Sequence, residues 1–449
     1  MASTNINKPF ASSGTRTKWT WSFWVKRGTI SNGDQVISTC HLDNSNQDIV
    51  RFSAADRLEW WSYQAGSYSN GGQLIPNRLF RDCYGWYHIV LRWDSSNSTA
   101  GDRMKIWVNG VEETSFNTDT NPTSGRESLF NYGNNSQKWI IGSGNDTQYF
   151  DGSISHMHFS DGHAYDASTF GETDSTTGEW KIKTSPSFTL GTNGFTILKD
   201  GNTITDQSSN SNDWSLRGGT LTKTEDCPSN VFNTMNDLYL SAGSMNLTNA
   251  NLKNNGNSGS AWRSIYSTLG ASSGKYYFEM KVDKVKSSDL GNMFIGIVDA
   301  DQTVNTADNE RYVQQSRGYG YHAKGNKENN SSNTSWGNTW YTVGDIIGCA
   351  FDLDNGKIYF SKNGSWQESG DPTSGSTGTG SAFNVTSGYT YLVAAASYYD
   401  DERYSFNFGN GVFATTAVSS AGTNASNNGI FEYDVPSGYT ALSTKGLNL

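Results

Sequence analysis

Two acidic side chains in one predicted strand are the first residues whose spacing could support chemistry. Glu279 and Asp283 lie four positions apart in GKYYFEMKVD, so a β-strand directs both to the same face. A retaining glycosidase needs two carboxylates roughly 5 Å apart, and an inverting one needs a somewhat wider pair. The usual device is acids alternating on one strand, as in E-x-D-x-x-E, and the sequence has no such motif. The sequence therefore predicts no catalytic residues and a protein that is not an enzyme.

Three histidines raise the question of a metal site. His156 and His158 are two apart on one predicted strand face, and His163 follows closely. No third Cys or His ligand follows at a recognisable spacing, which favours a half-exposed strand without metal. The four cysteines are also far apart, with no C-x-x-C motif, and are expected to be free, buried thiols.

Calcium is a better candidate than zinc, because oxygen-rich loops contain Asp146, Asp151 and Asp161, whose carboxylates are hard ligands. Asp151-Gly152 and Asp161-Gly162 are also typical turn pairs, which explain the same acids without any ion. We therefore predict no cofactor, with Ca²⁺ as the alternative.

Adjacent Trp60 and Trp61 are a candidate binding feature. Neighbouring residues of a strand point to opposite faces, so both rings cannot enter the same core. One of them must lie on an outer face, in a crevice or in an interface, where an aromatic ring can stack on a sugar or anchor a partner protein. The alternative is that a loop such as residues 66–72 covers the second ring.

The elements that must position these residues are strands. In TKWTWSFWV, residues 17–25, Trp19, Trp21, Phe23 and Val25 share one face, while Trp24 points to the other. Further strands are predicted over residues 35–39, 49–53, 58–63, 87–94, 104–108, 140–142 and 152–159. Residues 344–364, GDIIGCAFDLDNGKIYFSKNG, alternate on either side of Asp354-Asn355-Gly356 and turn again at Asn363-Gly364, which predicts a β-hairpin. The fold class is therefore all-β, with two antiparallel jelly-roll sandwiches.

The hairpin also carries a family resemblance. Together with GKYYFEMKV, MFIGIVD and YLVAAASYYDDERYSFNFG, it resembles a SPRY domain over residues 261–415. SPRY domains are binding modules whose ligand surface is built from loops at one end of the sandwich. The resemblance therefore implies ligand-binding residues at the matching positions Arg311, Tyr312, Trp336, Tyr398, Tyr399 and Asp400. An interior position for Tyr398 or Tyr399 is the alternative, because AAASYYDD continues a strand.

The first half resembles a concanavalin A-like, laminin-G-like jelly roll. The segments are WSFWVKR, RDCYGWYHIVLRWD, DRMKIWVNG, WIIGSG and FDGSISHMHFSDG. With FGETDSTTGEWKIK, GTNGF, DQSSNSNDW and the ending FEYDVPSGYTALSTKGLNL, the chain is similar to virion appendage proteins of marine tailed bacteriophages. This resemblance implies a virion location and, as partners, other virion proteins and a host-surface glycan or protein.

Composition narrows the partners further. The net charge is −10 and no Lys/Arg cluster is present, which disfavours nucleic acid because phosphate binding needs a concentrated basic surface. The sequence contains no run of about 18 apolar residues, so no membrane span is predicted. MASTNINKPF lacks the features of a signal peptide. A weak single site would need repetition to hold a particle on a cell, so we expect a homo-oligomer, with a trimer as the leading choice.

The predicted organisation is a jelly roll over residues 1–198, a structured connector over 199–260, a SPRY-like sandwich over 261–415 and a C-terminal extension over 416–449. Three functions remain open: a non-enzymatic tail-fibre or capsid-fibre component that binds glycan or protein, a lectin or enzyme acting on polysaccharide, and a structural capsid decoration protein. Because fold alone does not give function, the site has to decide among them.

Overall fold

The computed structural model describes residues 3–31, 33–133, 138–199, 203–240, 245–257, 259–304 and 309–448. The chain forms two compact units, Met1–Leu221 and Thr222–Leu449. Their boundary lies inside the predicted connector, residues 199–260, of which 200–202, 241–244 and 258 lie outside the described residues. The connector is divided between the units, because its first strand joins a sheet of the first unit and its later strands join sheets of the second.

The first unit contains the following strands: β1 Asn5–Lys8, β2 Lys18–Arg27, β3 Gln35–Asp43, β4 Asn46–Phe52, β5 Leu58–Tyr63, β6 Gln73–Pro76, β7 Tyr87–Asp94, β8 Met104–Val108, β9 Val111–Glu112, β10 Phe116–Thr120, β11 Trp139–Ile141, β12 Gly152–Asp161, β13 Gly171–Thr173, β14 Trp180–Ile182, β15 Phe195–Ile197 and β16 Ser215–Gly218. Its helical elements are α1, Tyr68–Gly71, and 3₁₀ turns at Ala100–Asp102 and Ala167–Thr169.

The second unit contains the following strands: β17 Met235–Leu240, β18 Met245–Thr248, β19 Lys253–Asn257, β20 Arg263–Ala271, β21 Lys275–Lys284, β22 Met293–Asp299, β23 Gly318–His322, β24 Asn326–Asn329, β25 Ser332–Ser335, β26 Ile346–Asp352, β27 Lys357–Lys362, β28 Ser365–Trp366, β29 Phe383–Asn384, β30 Tyr391–Ser397, β31 Arg403–Asn407, β32 Val412–Phe413, β33 Thr416–Ala417 and β34 Thr440–Ala441. Its 3₁₀ turns are Ala300–Gln302, Tyr312–Gln314, Gln367–Ser369, Pro372–Thr377 and Gly446–Asn448.

Two facing sheets build the first unit. Sheet A has the order β10-β6-β5-β4-β3-β11-β1-β16, and sheet B has the order β15-β12-β2-β7-β8-β9. The inward faces share one core in which Trp19 and Trp21 of β2 meet Trp60 of β5 and Trp139 of β11. Large aromatic rings explain how a chain with many polar residues still buries enough apolar surface.

Two further sheets build the second unit. Sheet C has the order β17-β20-β30-β22-β23-β24-β25, and sheet D has the order β18-β19-β31-β21-β26-β27-β28. Their shared core includes Ile295 and Val393 from sheet C and Phe278, Cys349 and Phe406 from sheet D. The ladders along both strand orders are antiparallel, as the alternating sequence predicts, and β34 adds a short parallel pairing with β21.

The turn residues form the predicted hairpins. β26 and β27 pair antiparallel from Ile347↔Lys362 to Asp352↔Lys357, and Gly356 adopts a φ of 62° in the turn between them. Asn109 and Gly110 have φ values of 48° and 81° between β8 and β9. These backbone angles favour Asn and Gly, which have low steric cost in the left-handed region.

Extra segments cover the outer faces of three sheets. The outer face of sheet B is covered by residues 165–188, in which Phe170 lies among the buried residues. The outer face of sheet D is covered by the C-terminal segment, which contributes Phe431, Val435 and Tyr439. Residues 304 and 312–313 cover part of sheet C. Both faces of these sheets are therefore buried over much of their length.

The all-β prediction is confirmed, because strands hold 43% of the residues and helices only 7%. Among the described residues, no helix has the length and apolar character needed to cross a bilayer.

Candidate functional site

One edge of sheet C brings together aromatic and charged side chains. β20 and β22 begin where β30 and β23 end, because these neighbours are antiparallel: Arg263 pairs with Ser397, and Phe294 pairs with His322. The strand ends and the loops beside them therefore meet at one edge. The strand-end cluster consists of Trp262, Phe294, Arg311, His322, Tyr398 and Tyr399.

The ring of Trp262 is the centre of this cluster. It lies 5.3 Å from the ring of Phe294 and 5.6 Å from that of Tyr398, measured between centroids. The ring of Tyr399 makes an edge contact with Tyr398 at 4.7 Å. Trp262, Tyr398 and Tyr399 are only half-buried, so the cluster presents aromatic surface to a ligand.

Arg311 places a positive charge on the same cluster. Its guanidinium lies 5.1 Å from the ring centroid of Trp262 and 5.6 Å from that of Phe294, a cation–π geometry. Nη2 donates to Oε1 of Glu328 at 2.6 Å, whereas Nε has no hydrogen-bond partner among the described residues. This nitrogen is shielded from solvent, so a ligand does not reach it.

A buried carboxylate fixes the loop that carries the two tyrosines. Oε2 of Glu402 accepts hydrogen bonds from the backbone N–H groups of Tyr398 and Tyr399, at 2.9 and 3.0 Å, and Oε1 accepts from Asn292 N–H at 2.7 Å. Burial raises the pKa of Glu402 to about 7, while the three N–H donors act in the opposite direction. The tyrosine loop is thus anchored to the loop before β22.

Charged side chains form a rim around the aromatic residues. Tyr399 Oη donates to Asp289 Oδ2 at 3.1 Å, and Lys324 Nζ lies 3.0 Å from Asp289 Oδ1. The hydrogen bond from Lys324 lowers the pKa of Asp289. Lys286 Nζ lies 5.6 Å from the ring centroid of Tyr399. An apolar centre with a polar rim is the usual anatomy of a recognition surface.

His322 lies beneath this surface as a neutral ring. It stacks on Phe294 with a centroid distance of 4.3 Å and an interplanar angle of 18°. Burial lowers its pKa to about 3, and the charges of Lys324 and Arg311 act in the same direction. Neither ring nitrogen has a hydrogen-bond partner in the described part of the chain.

The structure places four residues predicted from the SPRY resemblance at this edge. Arg311, Tyr398 and Tyr399 belong to the cluster, and the exposed carboxylate of Asp400 lies 3.9 Å from Lys286 Nζ. Trp336 lies elsewhere, because its ring packs edge-on against Tyr321 at 5.2 Å. Ligand binding by these residues stays a prediction.

Tyr312 requires a correction, because its side chain is fully buried. It directly follows Arg311 but belongs to an interior cluster with Tyr266 and Val298. The predicted exposed tyrosine is instead part of the packing between the outer face of sheet C and the segment that covers it.

Sequence reasoning missed three residues of this site, namely Trp262, His322 and Glu402. Trp262 directly precedes β20, whose sequence RSIYSTLGA was not predicted as a strand. The alternation of Ile265, Ser267 and Leu269 is the signal that could have revealed it. Nothing local marks Glu402 as a buried anchor, because its donors lie in two separate loops.

Comparison with known families agrees with the two-unit architecture. Residues 275–411 match the family described as the SPRY domain, and residues 2–168 match the family described as the concanavalin A-like lectin/glucanases superfamily. The chain contains a concanavalin A-like domain and a SPRY domain.

Individual relatives cover only parts of the chain. An ATP-dependent RNA helicase, DDX1 of Xenopus laevis, is 31% identical over 103 residues, which are 23% of this chain and 12% of that protein. The SPRY domain of human HERC1 matches at 16% identity, covering 38% of this chain and 96% of that structure, with a TM-score of 0.29. A heptameric SAP-like pentraxin from Limulus polyphemus matches at 14% identity, covering 35% and 69%, with a TM-score of 0.26.

In the concanavalin A-like domain, the structure buries both predicted platform tryptophans. Trp60 is 1% exposed in the main core, and Trp61 is 6% exposed on the other face of β5. Tyr68 of α1 covers Trp61 with an edge contact at 5.5 Å. A Cβ atom at Gly71 would lie 2.0 Å from the carbonyl oxygen of Ser62, so glycine permits this close approach. The loop over residues 66–72 therefore covers the second ring, which was the alternative to an exposed platform.

The histidines of this domain do not form a half-exposed pair. His156 and His158 are 6% and 3% exposed, and a bulge between β12 and β2 separates them, with a φ of 46° at His156. Burial lowers the pKa of His158 to about 3. Within the described residues, no group of three His, Cys, Asp or Glu side chains could hold a metal ion.

The three candidate calcium ligands do not converge. Asp151 precedes β12 and Asp161 ends it, so a strand of about 30 Å separates them. Asp161 accepts from Thr15 N–H at 2.7 Å and Asn193 N–H at 3.0 Å. Asp146 instead pairs with Arg217 at 2.5 Å. Hydrogen bonds and an ion pair within the protein thus use these carboxylates.

The acidic pair of the SPRY domain is also separated. Four residues along β21 place the Cα atoms of Glu279 and Asp283 about 13 Å apart. Glu279 is fully buried, while Asp283 pairs with Lys253 at 3.1 Å. Interactions within the protein therefore use both carboxylates.

Proposed function

We propose that this protein is a non-enzymatic component of a bacteriophage virion appendage, such as a tail fibre or capsid fibre, that binds molecules of the host surface or of the virion. The observation that carries the binding function is the strand-end cluster. The phage assignment is supported by the resemblance of segments spread over most of the chain. The exposed acidic surface implied by a net charge of −10 disfavours nucleic acid as the partner.

The residue types of the cluster support recognition. Tryptophan, tyrosine and arginine are enriched among the residues that dominate binding energy, and here Trp262 lies within contact distance of both Tyr398 and Arg311. A half-buried tryptophan offers a face on which a sugar ring or an apolar side chain can pack. A host glycan is therefore our preferred ligand.

Fixed positions support the same conclusion. Trp262 directly precedes a strand, and Glu402 holds the backbone of Tyr398 and Tyr399. A surface that is ordered before binding loses less conformational entropy when a ligand arrives. Contacts from several copies would add to this, so we propose a homo-oligomer, with a trimer as the leading form. Sedimentation of the purified protein as a monomer at micromolar concentration would contradict the oligomer.

Adsorption competition tests the binding function. Purified protein should reduce adsorption of the phage to its host, whereas a variant carrying Trp262→Ala and Arg311→Ala should compete at least 10-fold less well. Arg317→Ala is the matched control, because Arg317 pairs with Asp299 and Tyr389 and makes no contact with the strand-end cluster. Equal competition by all three proteins would overturn the assignment of this surface.

Immunogold electron microscopy tests the virion assignment separately. Antibodies against the purified chain should label fibres of phage particles. A fibre tip would support receptor binding, and a capsid position would support decoration. Label on host cells without any label on particles would overturn the phage proposal.

A further inference from the structure

A cleft of ≈320 Å³ lies in the second unit, away from the strand-end cluster. One wall consists of Gly274, which directly precedes β21, and of Lys275 and Tyr276 at the start of that strand, together with Asp354 of the β26–β27 turn. The opposite wall comes from the C-terminal segment, including Thr440. The volume is at the lower end of the ~300–1,000 Å³ typical of small-molecule sites, so it suits a ligand of one or two rings.

The two walls are held in place by the fold. β34 pairs with β21 in parallel, with Tyr276 opposite Thr440. Asn428 Nδ2 donates to Thr440 Oγ1 at 2.8 Å, and Tyr439 Oη donates to the carbonyl oxygen of Pro372 at 3.0 Å. The cleft therefore exists before any ligand binds, which lowers the entropic cost of binding.

The charges of the cleft disfavour an anionic ligand. Lys275 is the cation of the lining, and its Nζ is already paired with Asp352 Oδ2 at 3.1 Å. The carboxylate of Asp354 is exposed and adds negative charge. A phosphate or carboxylate would meet this carboxylate without an unpaired cation to balance it.

Two polar groups of the cleft still have hydrogen-bonding capacity. Asp354 Oδ1 accepts from Gly274 N–H at 2.7 Å, and its carboxylate has no further partner in the described part of the chain. The hydroxyl of Tyr276 lies beside Gly274, since a Cβ atom there would be 2.8 Å from it. Burial, and then the charge of Asp354, raise the pKa of Tyr276, so this hydroxyl keeps its proton and can donate.

We propose that this cleft binds a neutral sugar residue, with Asp354 accepting hydrogen bonds from its hydroxyl groups and the Tyr276 hydroxyl bonding another. A neutral sugar supplies several donors and needs no counter-charge. The lining combines the rings of Tyr276 and Tyr439 and one alanine, Ala425, with glycines and hydroxyl groups, and a sugar ring likewise presents both apolar C–H groups and hydroxyls. The Asp354 carboxylate and the polar backbone groups of the cleft can form hydrogen bonds with the hydroxyl groups of a sugar ring.

The site belongs to this chain rather than to the SPRY fold in general. The family match ends at residue 411, whereas Ser426, Tyr439, Thr440 and Gly446 supply one wall. The proposal also does not depend on the phage assignment, because free sugars can test it.

Titration of the full-length protein with methyl glycosides of neutral hexoses, 6-deoxyhexoses and N-acetylhexosamines provides the test. When the titration is followed by NMR, at least one glycoside should bind saturably, with a Kd on the order of 1 mM. Its binding should change the chemical shifts of the backbone amides of Gly438 and Gly446. Asp354→Asn keeps an acceptor for Gly274 N–H but removes the charge, and should weaken binding about 10-fold. Tyr276→Phe removes only the hydroxyl and should weaken it several-fold.

Matched substitutions outside the cleft serve as controls. Asp301→Asn and Tyr389→Phe make the same chemical changes elsewhere and should leave the Kd unchanged. Absence of binding by every glycoside of the panel would overturn the proposal. Binding that changes the amide chemical shift of neither Gly438 nor Gly446 would overturn it too. This measurement uses the unaltered protein, so it does not depend on the folding of any variant.

Discussion

The carboxylate of Glu279 accepts a hydrogen bond from the backbone N–H of Tyr433 at 2.9 Å, although 154 residues separate the two in the chain. The N–H of Glu432 donates to the same carboxylate at 2.9 Å, as do Asn407 Nδ2 and Tyr277 Oη at 3.1 Å. Glu279, which the sequence analysis weighed as a catalytic acid and set aside, is an anchor that holds the C-terminal segment on sheet D.

Replacing this anchor should release the C-terminal segment. Glu279→Ala leaves two backbone N–H groups without their acceptor, each costing about 1–3 kcal/mol, so the free energy of unfolding should fall by about 2–6 kcal/mol. Urea denaturation measures the loss, and limited proteolysis should cut within residues 416–449 first. Glu310→Ala, at an exposed glutamate, should change stability by less than about 0.5 kcal/mol. Equal stability of the two variants would contradict the anchoring role.

Stability of the concanavalin A-like domain should fall as the pH falls below 6.5. Burial lowers the pKa values of His88 and His158 to about 3 from 6.5, so between these values the unfolded state binds more protons than the folded state. As the pH falls between these values, each histidine should lower the free energy of unfolding by up to about 1.4 kcal/mol per pH unit. Above pH 6.5 the histidines are neutral in both states, so they cause no further change in stability. Thermal unfolding between pH 7.5 and 4.5 measures the slope.

Substitution assigns that slope to the buried rings. His158→Gln should reduce the pH dependence, whereas His163→Gln, at a half-exposed position, should not. Identical slopes in the unaltered protein and the His158→Gln variant would rule out this source.

Tyr312 and Tyr399 should respond very differently to truncation of their side chains. Tyr312→Ala removes a fully buried ring and should cost about 3–5 kcal/mol. Tyr399→Ala removes a half-exposed ring and one hydrogen bond to Asp289, and should cost about 1 kcal/mol. Chemical denaturation distinguishes them. Tyr312→Phe is a useful comparison, because the Tyr312 hydroxyl has no partner among the described residues and its removal should be nearly neutral. A small effect of Tyr312→Ala would restore this residue as a surface candidate.

Glu402 should control the order of the strand-end cluster. Glu402→Gln replaces one acceptor oxygen with a donor facing backbone N–H groups, so the amides of Tyr398 and Tyr399 should exchange about 10-fold or more faster. Hydrogen exchange followed by NMR measures this rate. Asp400→Asn is the control, since that side chain is exposed. Unchanged protection in the Glu402 variant would show that other contacts hold the loop.

Local patterns predicted much of the strand framework. Strands β5, β7 and β8 have the predicted bounds, 58–63, 87–94 and 104–108, because alternation and turn residues are properties of neighbouring positions. The hairpin at Asp354-Asn355-Gly356 is likewise confirmed. β20 was missed, although it supplies the edge on which Trp262 lies, because its polar residues weaken the alternation.

The sequence by itself determined which residues share a strand face and where the chain turns, since both depend on contacts within a few residues. Only the tertiary structure decided what covers each face: Tyr68 covers Trp61, and the C-terminal segment covers Glu279. The same is true of Tyr312, which the sequence places in a loop and the fold places in an interior. Alternation shows which face of a strand a side chain occupies. Whether that face is buried depends on segments that are distant in the chain, and no local pattern predicts where those segments pack.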